Sequence, residues 1–114
     1  MSTTLKAHSP TLINAEAMNL DHPETFKRPS DNDISDIELR DHVKVAMHYM
    51  SGDVRVGVHS ISGERFWLEV VMKSADYWIG QCKSKLLFDG IKVGDLVKFH
   101  PCNIYDICKQ EEES

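Results

Sequence analysis

From residue 42 to residue 107 apolar and polar side chains tend to alternate with a period of two, and that pattern decides what the chain can fold into. In His42–Tyr49 it places Val43, Val45, Met47 and Tyr49 on one face, and His42, Lys44, Ala46 and His48 on the other. Arg65–Met72 is the best strand in the sequence. Phe66, Leu68, Val70 and Met72 form its inner face, and Arg65, Trp67, Glu69 and Val71 its outer face. After a Ser74-Ala75-Asp76 turn comes Tyr77–Cys82, close enough to make an antiparallel hairpin with it. Leu96–His100 reads as a strand stopped by Pro101, and Asn103–Ile107 as a short last strand or turn. Ser51-Gly52-Asp53, Ser62-Gly63, Asp89-Gly90 and Gly94-Asp95 read as turns, with Val54–Val58 a short return strand between the first two. Gly80 and Gly94 suit the bulges and bends that let a small sheet curl. Short strands at this spacing predict an α+β fold: a small, strongly bent antiparallel β-sheet or SH3-like, partly open barrel, preceded by one or two short helices.

The N-terminal part reads differently. Residues 1–11, Thr-rich and holding Pro10, are expected to be a flexible arm. Leu12–Leu20 predicts two helical turns with Leu12, Ile13, Ala17 and Leu20 on one face. His22-Pro23 and Arg28-Pro29 punctuate an extended connector, whose Phe26 is expected to plug the core. Ser30 caps a second short helix, with Asp31 and Asp33 at the favourable dipole end and Ile34 and Ile37 facing inward. The organisation expected is one domain over 12–108 with its β-rich core in 42–107, followed by an acidic tail, 109–114.

The net charge is −5, carried by the flanks: residues 1–41 hold −4, residues 42–108 hold +1 and residues 109–114 hold −2. A duplex nucleic-acid binder needs a basic face to displace counterions, so this balance favours a protein partner over nucleic acid. The longest apolar runs, such as Leu86–Phe88, are far short of the roughly 20 residues that span a bilayer, and Met1–Lys6 lacks a signal-peptide apolar run. Cys82, Cys102 and Cys108 are an odd number of cysteines, and free thiols in a reducing, cytoplasmic setting are the simplest account of them.

Four stretches together resemble a known family. Glu64-Arg65-Phe66-Trp67-Leu68-Glu69-Val70, Tyr77-Trp78-Ile79-Gly80, Lys92-Val93-Gly94-Asp95-Leu96-Val97-Lys98-Phe99 and Ile104-Tyr105-Asp106-Ile107 look like the pattern of the bacterial DUF2314 (YegJ-like) domain. In outline the resemblance covers residues 25–107, with motifs only in 64–107. Ser84-Lys85-Leu86 stands where that family commonly has Asn-x-Pro, and Ile107 where it has a tryptophan. The resemblance implies a small α+β domain and no particular reaction.

Candidate sites follow from the strand faces. Trp67 lies opposite the inner face of its strand, so with Arg65 and Glu69 it is a candidate partner anchor unless the N-terminal segment covers it. Tyr77 and Trp78 point to opposite faces; whichever is displayed would make an aromatic patch with Trp67. Lys85 completes the set, and Lys44, Lys83, Lys85, Lys92 and Lys98 would have to share a face with Trp67 or Trp78 for single-stranded nucleic acid to bind. His100, Cys102 and Cys108 lack the paired spacing of a zinc site. No G-x-S-x-G, P-loop, H-E-x-x-H or G-x-G-x-x-G occurs, so no catalytic residue, metal or cofactor is expected. The function expected is a non-enzymatic protein-interaction module, of the kind of a small acidic inhibitor or immunity-type protein; a small-ligand protein or enzyme without a recognisable motif is the remaining alternative.

Overall fold

The computed structural model describes residues 7–24, 27–53, 58–87 and 90–109; for 49–53 and 58–62 it describes the backbone. The expectations for Phe26, for the side chain of Tyr49 and for most of Val54–Val58 lie outside the described residues.

Two short helices, α1 (Ala15–Asp21) and α2 (Asp31–Ser35), precede β1 (His42–Asp53), β2 (Val58–Lys73), β3 (Trp78–Cys82), β4 (Leu96–Phe99) and β5 (Asp106–Cys108), with a 3-10 turn at Pro101–Asn103. The strands form one antiparallel sheet in the order β4-β3-β2-β1-β5. The period of two is obeyed at its centre. Val43, Val45, Phe66, Leu68 and Val70 are wholly buried, packed with Val97 and Phe99 from β4 and with Ile34, Ile37 and Ile104 from outside the sheet. Each large side chain buried this fully contributes about 1.5–3 kcal/mol.

The N-terminal segment decides the shape. His8 N–H donates to the Leu96 carbonyl and Lys98 N–H to that of His8, a parallel bridge on the outer edge of β4. Leu12 bridges the opposite edge, at Met47 of β1, where Ile13 N–H donates to the Ala46 carbonyl and His48 N–H to that of Thr11. Laid flat, the lines outside β4 and outside β1 would be about 24 Å apart, five strand spacings. The chain from His8 to Leu12 reaches at most about 14 Å. The sheet must therefore curl, with the core on its concave side and Trp67, Glu69, Lys44 and His42 on its convex side. The segment read as a loose arm is thus pinned at His8 and Thr11, and Asn103, which donates to the Ile13 carbonyl and accepts from His100 N–H, ties it to the 3-10 turn.

Three other expectations are corrected. Leu12 and Ile13 are committed to the sheet edge, so α1 begins only after Asn14, whose side chain caps it by accepting from Ala17 N–H. Its buried residue is Ala15; Ala17 and Leu20 are exposed. Ser51-Gly52-Asp53 and Ser62-Gly63 do not turn: they lie inside β1 and β2, which pair continuously from His42↔Glu69 to Asp53↔Val58. Met72 leaves the inner face. The β2–β3 register shifts between Val70 and Met72, which pair with Gly80 and Ile79. The bulge at Val71 turns Met72 to the convex side, and Lys73 inward, its Nζ 2.6 Å from the Ile37 carbonyl and 4.7 Å from the Trp78 ring centre. For α2 the cap and the burial hold, since Ser30 Oγ accepts from Asp33 N–H and Ile34 and Ile37 are buried, but the helix ends at Ser35 and Ile37 lies beyond it.

Gly80 sits across from this bulge because nothing larger fits. A Cβ there would lie 2.7 Å from Leu68 Cβ and 3.2 Å from Phe99 Cε1. Gly80→Ala is expected to cost about 1–3 kcal/mol in urea denaturation, by overpacking. Gly63→Ala, where the nearest atom is 3.6 Å away, is expected to be close to neutral. Removing residues 1–13 deletes five hydrogen bonds to the sheet and 3-10 turn and is expected to lower stability by about 3–5 kcal/mol on the same measurement. An unchanged midpoint would contradict the closing role assigned to this segment.

Candidate partner-binding face

Strand pairing builds the convex face row by row. Lys44 of β1 lies across from Trp67 of β2, and Ala46 from Arg65. Tyr105 enters beside them because its N–H donates to the Lys44 carbonyl just before β5 begins. Lys44 Nζ lies 5.5 Å from the Trp67 ring centre and 5.8 Å from that of Tyr105, and the Arg65 guanidinium carbon 5.4 Å from Tyr105. Two half-buried rings therefore share one ammonium, and a guanidinium caps the second ring; each such contact contributes about 0.5–1 kcal/mol at an exposed site. Trp67 is held at its backbone, donating N–H to Ser84 Oγ at 2.9 Å and accepting from Lys83 N–H at 3.0 Å. Glu69 completes the neighbourhood, its Oε1 3.7 Å from His42 Nε2 and 4.0 Å from Lys83 Nζ. The bulge extends the face: Val71, Met72, Ile79, Gln81 and Leu96 line a shallow groove of about 340 Å³.

The candidates named from the sequence divide. Trp67, Arg65 and Glu69 belong to this face. Trp78 does not: it is 8% exposed and meets Phe99 edge-on, ring centres 5.9 Å apart, so it is core. Tyr77, half-buried, stacks under Lys98 at 4.7 Å and, at the far end of the hairpin, forms no patch with Trp67. Lys85 is exposed on the loop after β3. The sequence reading missed Tyr105 and undervalued Lys44. Tyr105 lies outside any strand, so no alternation pointed to it. Of the lysines required for the nucleic-acid reading, Lys44 and Lys83 lie near Trp67 while Lys98 sits by Tyr77.

A second concavity, about 500 Å³, lies between residues 27–36 and β5, lined by Lys27, Arg28, Asp33, Asp36, Tyr105 and Lys109 among others. Its cations are engaged by the fold. Arg28 meets Asp31 at 3.3 Å, Lys27 donates to the Pro23 carbonyl, and Lys109 donates to the Asp36 carbonyl and to buried Asp41. Among the described residues no group of three His, Cys, Asp or Glu side chains is placed to hold a metal ion, and no helix is long and apolar enough to cross a membrane. Comparison with known proteins found no matching family model, curated protein or solved structure.

Burial pushes the Tyr105 phenol up to about 12; the nearby Arg65 guanidinium opposes the shift and Asp106 adds to it. The folded chain then keeps this proton where an unfolded tyrosine, titrating near 10, has lost it, so stability falls as pH rises from about 10 towards 12. Spectrophotometric titration is expected to show one phenol ionising about two pH units late, and Tyr105→Phe to remove that step. Its persistence in the variant would contradict the assignment.

Proposed function

We propose that this chain is a non-enzymatic protein-interaction module, acting as a small acidic inhibitor or immunity-type protein that neutralises a partner protein bound on the convex face. The observation that supports this most is the side-by-side placement of Trp67, Lys44, Tyr105 and Arg65, next to the Met72–Ile79–Leu96 groove. Amphipathic rings, an arginine and adjoining apolar surface are what interaction hot spots are made of. The acidic flanks steer a basic partner at low salt, an attraction screened beyond about 8 Å at physiological ionic strength, while the local cations select carboxylates at the contact. Kinship with the DUF2314 domains remains part of this proposal and adds no reaction to it.

Single-stranded nucleic acid is the second reading, favoured by the same rings and cations. It is the weaker one, because Lys44 already lies over the Trp67 ring where a base would stack, and Glu69 places a carboxylate beside it.

Affinity capture from cell extract at two salt concentrations tests both. A saturable protein partner is expected, with binding weakened about 10- to 100-fold by Trp67→Ala or Arg65→Glu and unaffected by Lys27→Glu beyond β5. Quenching of tryptophan fluorescence by single-stranded oligonucleotides, with no protein captured, would replace this reading by the second.

A further inference from the structure

We propose that two copies of this chain pair through the free edge of β2, His59 to Gly63, joining their β1–β2 ribbons into one continuous antiparallel sheet. β1 and β2 run on together past the rest of the sheet, through the pairs Tyr49↔Ser62 to Asp53↔Val58. On the other side of β2, β3 pairs from Leu68 to Lys73, and Lys83 and Ser84 add bonds at Trp67. The N-terminal segment covers β1 only as far as His48. Beyond those limits the ribbon is two-stranded, and a two-stranded ribbon is marginal in water without a further strand.

Register fixes which backbone groups are left open. Trp67 donates N–H to Ser84 Oγ and accepts from Lys83 N–H, so both of its backbone groups face away from β1. In regular antiparallel pairing every second residue does the same, which gives Arg65, Gly63, Ile61 and His59 that direction. The loop after β3 lies beside Arg65, since Leu87 N–H donates to the Glu64 carboxylate, so the open run is His59, Ile61 and Gly63. Among the described residues no strand pairs with this run. The same alternation on β1, set by the bonds at Ala46 and His48, leaves only Met50 and Gly52 open.

The other edges of the sheet are protected. His8 covers β4, and Thr11 and Ile13 cover β1. β5 is three residues long, and the Asp106 carboxylate takes the Ile107 N–H. An edge without such devices is a template for another strand. Residues 49–63 contain neither Lys nor Pro, the residues that commonly blunt an edge, and their charged residues, Asp53 and Arg55, cancel. A second copy therefore meets no like-charge repulsion along the ribbon, although the whole chain carries −5. The edge is also self-complementary. About a two-fold axis at Ile61, His59 opposes the partner's Gly63, Ile61 the partner's Ile61 and Gly63 the partner's His59, each pair exchanging two hydrogen bonds.

The test is sedimentation equilibrium of the full 114-residue chain. A species of twice the 13.0 kDa chain mass is expected, its share growing with concentration. Ile61→Pro removes an outward N–H that takes no part in pairing with β1, and is expected to weaken self-association about 10- to 100-fold. Met50→Pro does the same on the β1 edge and is expected to leave association unchanged. Ile61→Lys and Ile61→Glu each set like charges opposite one another at the axis and are expected to weaken association about tenfold or more, while an equimolar mixture of the two restores it. That mixture decides the matter even if Ile61→Pro fails to fold. A chain that stays monomeric up to about 1 mM would overturn the proposal. So would a dimer indifferent to the Ile61 charges, the absence of rescue on mixing, or dissociation by Met50→Pro in place of Ile61→Pro.

Discussion

The fold depends on one length constraint: about five residues of backbone must connect two sheet edges that would be far apart if the sheet were flat. His8 hydrogen-bonds along β4 and Leu12 bridges β1, so the span between them sets how far the sheet curls. Curling creates an inside and an outside. The inside holds side chains that cannot face water, Phe66, Leu68 and Phe99 first among them, and Ile34, Ile37 and Ile104 pack against these. The outside is left to groups that tolerate water at one end, namely Trp67, Tyr105, Lys44 and Glu69.

The bulge at Val71 is the local device that reconciles curvature with packing. Gly80 has no Cβ to strike Leu68, so β3 can lie close against β2 where they pair; the shift at Val71 then changes which side chains face in. One consequence is energetic: Lys73, turned inward, lies over Trp78 and reaches the Ile37 carbonyl, so its charge is met by a ring and a backbone acceptor. The other bears on function. Met72, released from the core, joins Ile79 and Leu96 to make apolar surface on the convex side, next to the rings that carry the proposed docking.

Much of this was legible in the sequence, and the reason is that burial writes itself into side-chain identity. The alternation of Val43–Met47 and Phe66–Val70 gave both strands and their inner faces, and Ser30 with Ile34 and Ile37 gave α2. What escaped was carried by backbone. The edge bonds of His8, Thr11 and Ile13 need no particular side chain, so a Thr-rich stretch with a proline looked like an arm. Gly63 and the Ser51-Gly52-Asp53 stretch looked like turns because glycine permits a turn, but permission is not requirement, and pairing over the length of β1 decided otherwise. A bulge adds one residue to one strand and leaves no compositional mark, so Met72 was assigned to the wrong face. Tyr105 was missed for the same reason, since its place is fixed by its N–H on Lys44.

The convex face also shows why net charge is a poor guide to a local surface. The chain carries −5, yet Lys44 and Arg65 gather around two aromatic rings, and Lys83 lies beside them with Glu69 as its counter-ion. Strand register enforces this, because it fixes which side chains are neighbours whatever the total. Long-range steering and short-range selection are then separable: the flanks govern the field at distances beyond the Debye length of about 8 Å only weakly in physiological salt, while contacts on the sheet act within it. A partner drawn by the flanks must still present groups that suit Lys44 and Arg65 at contact. Specificity on such a surface is a property of the sheet, and the flanks change chiefly how fast the partner arrives.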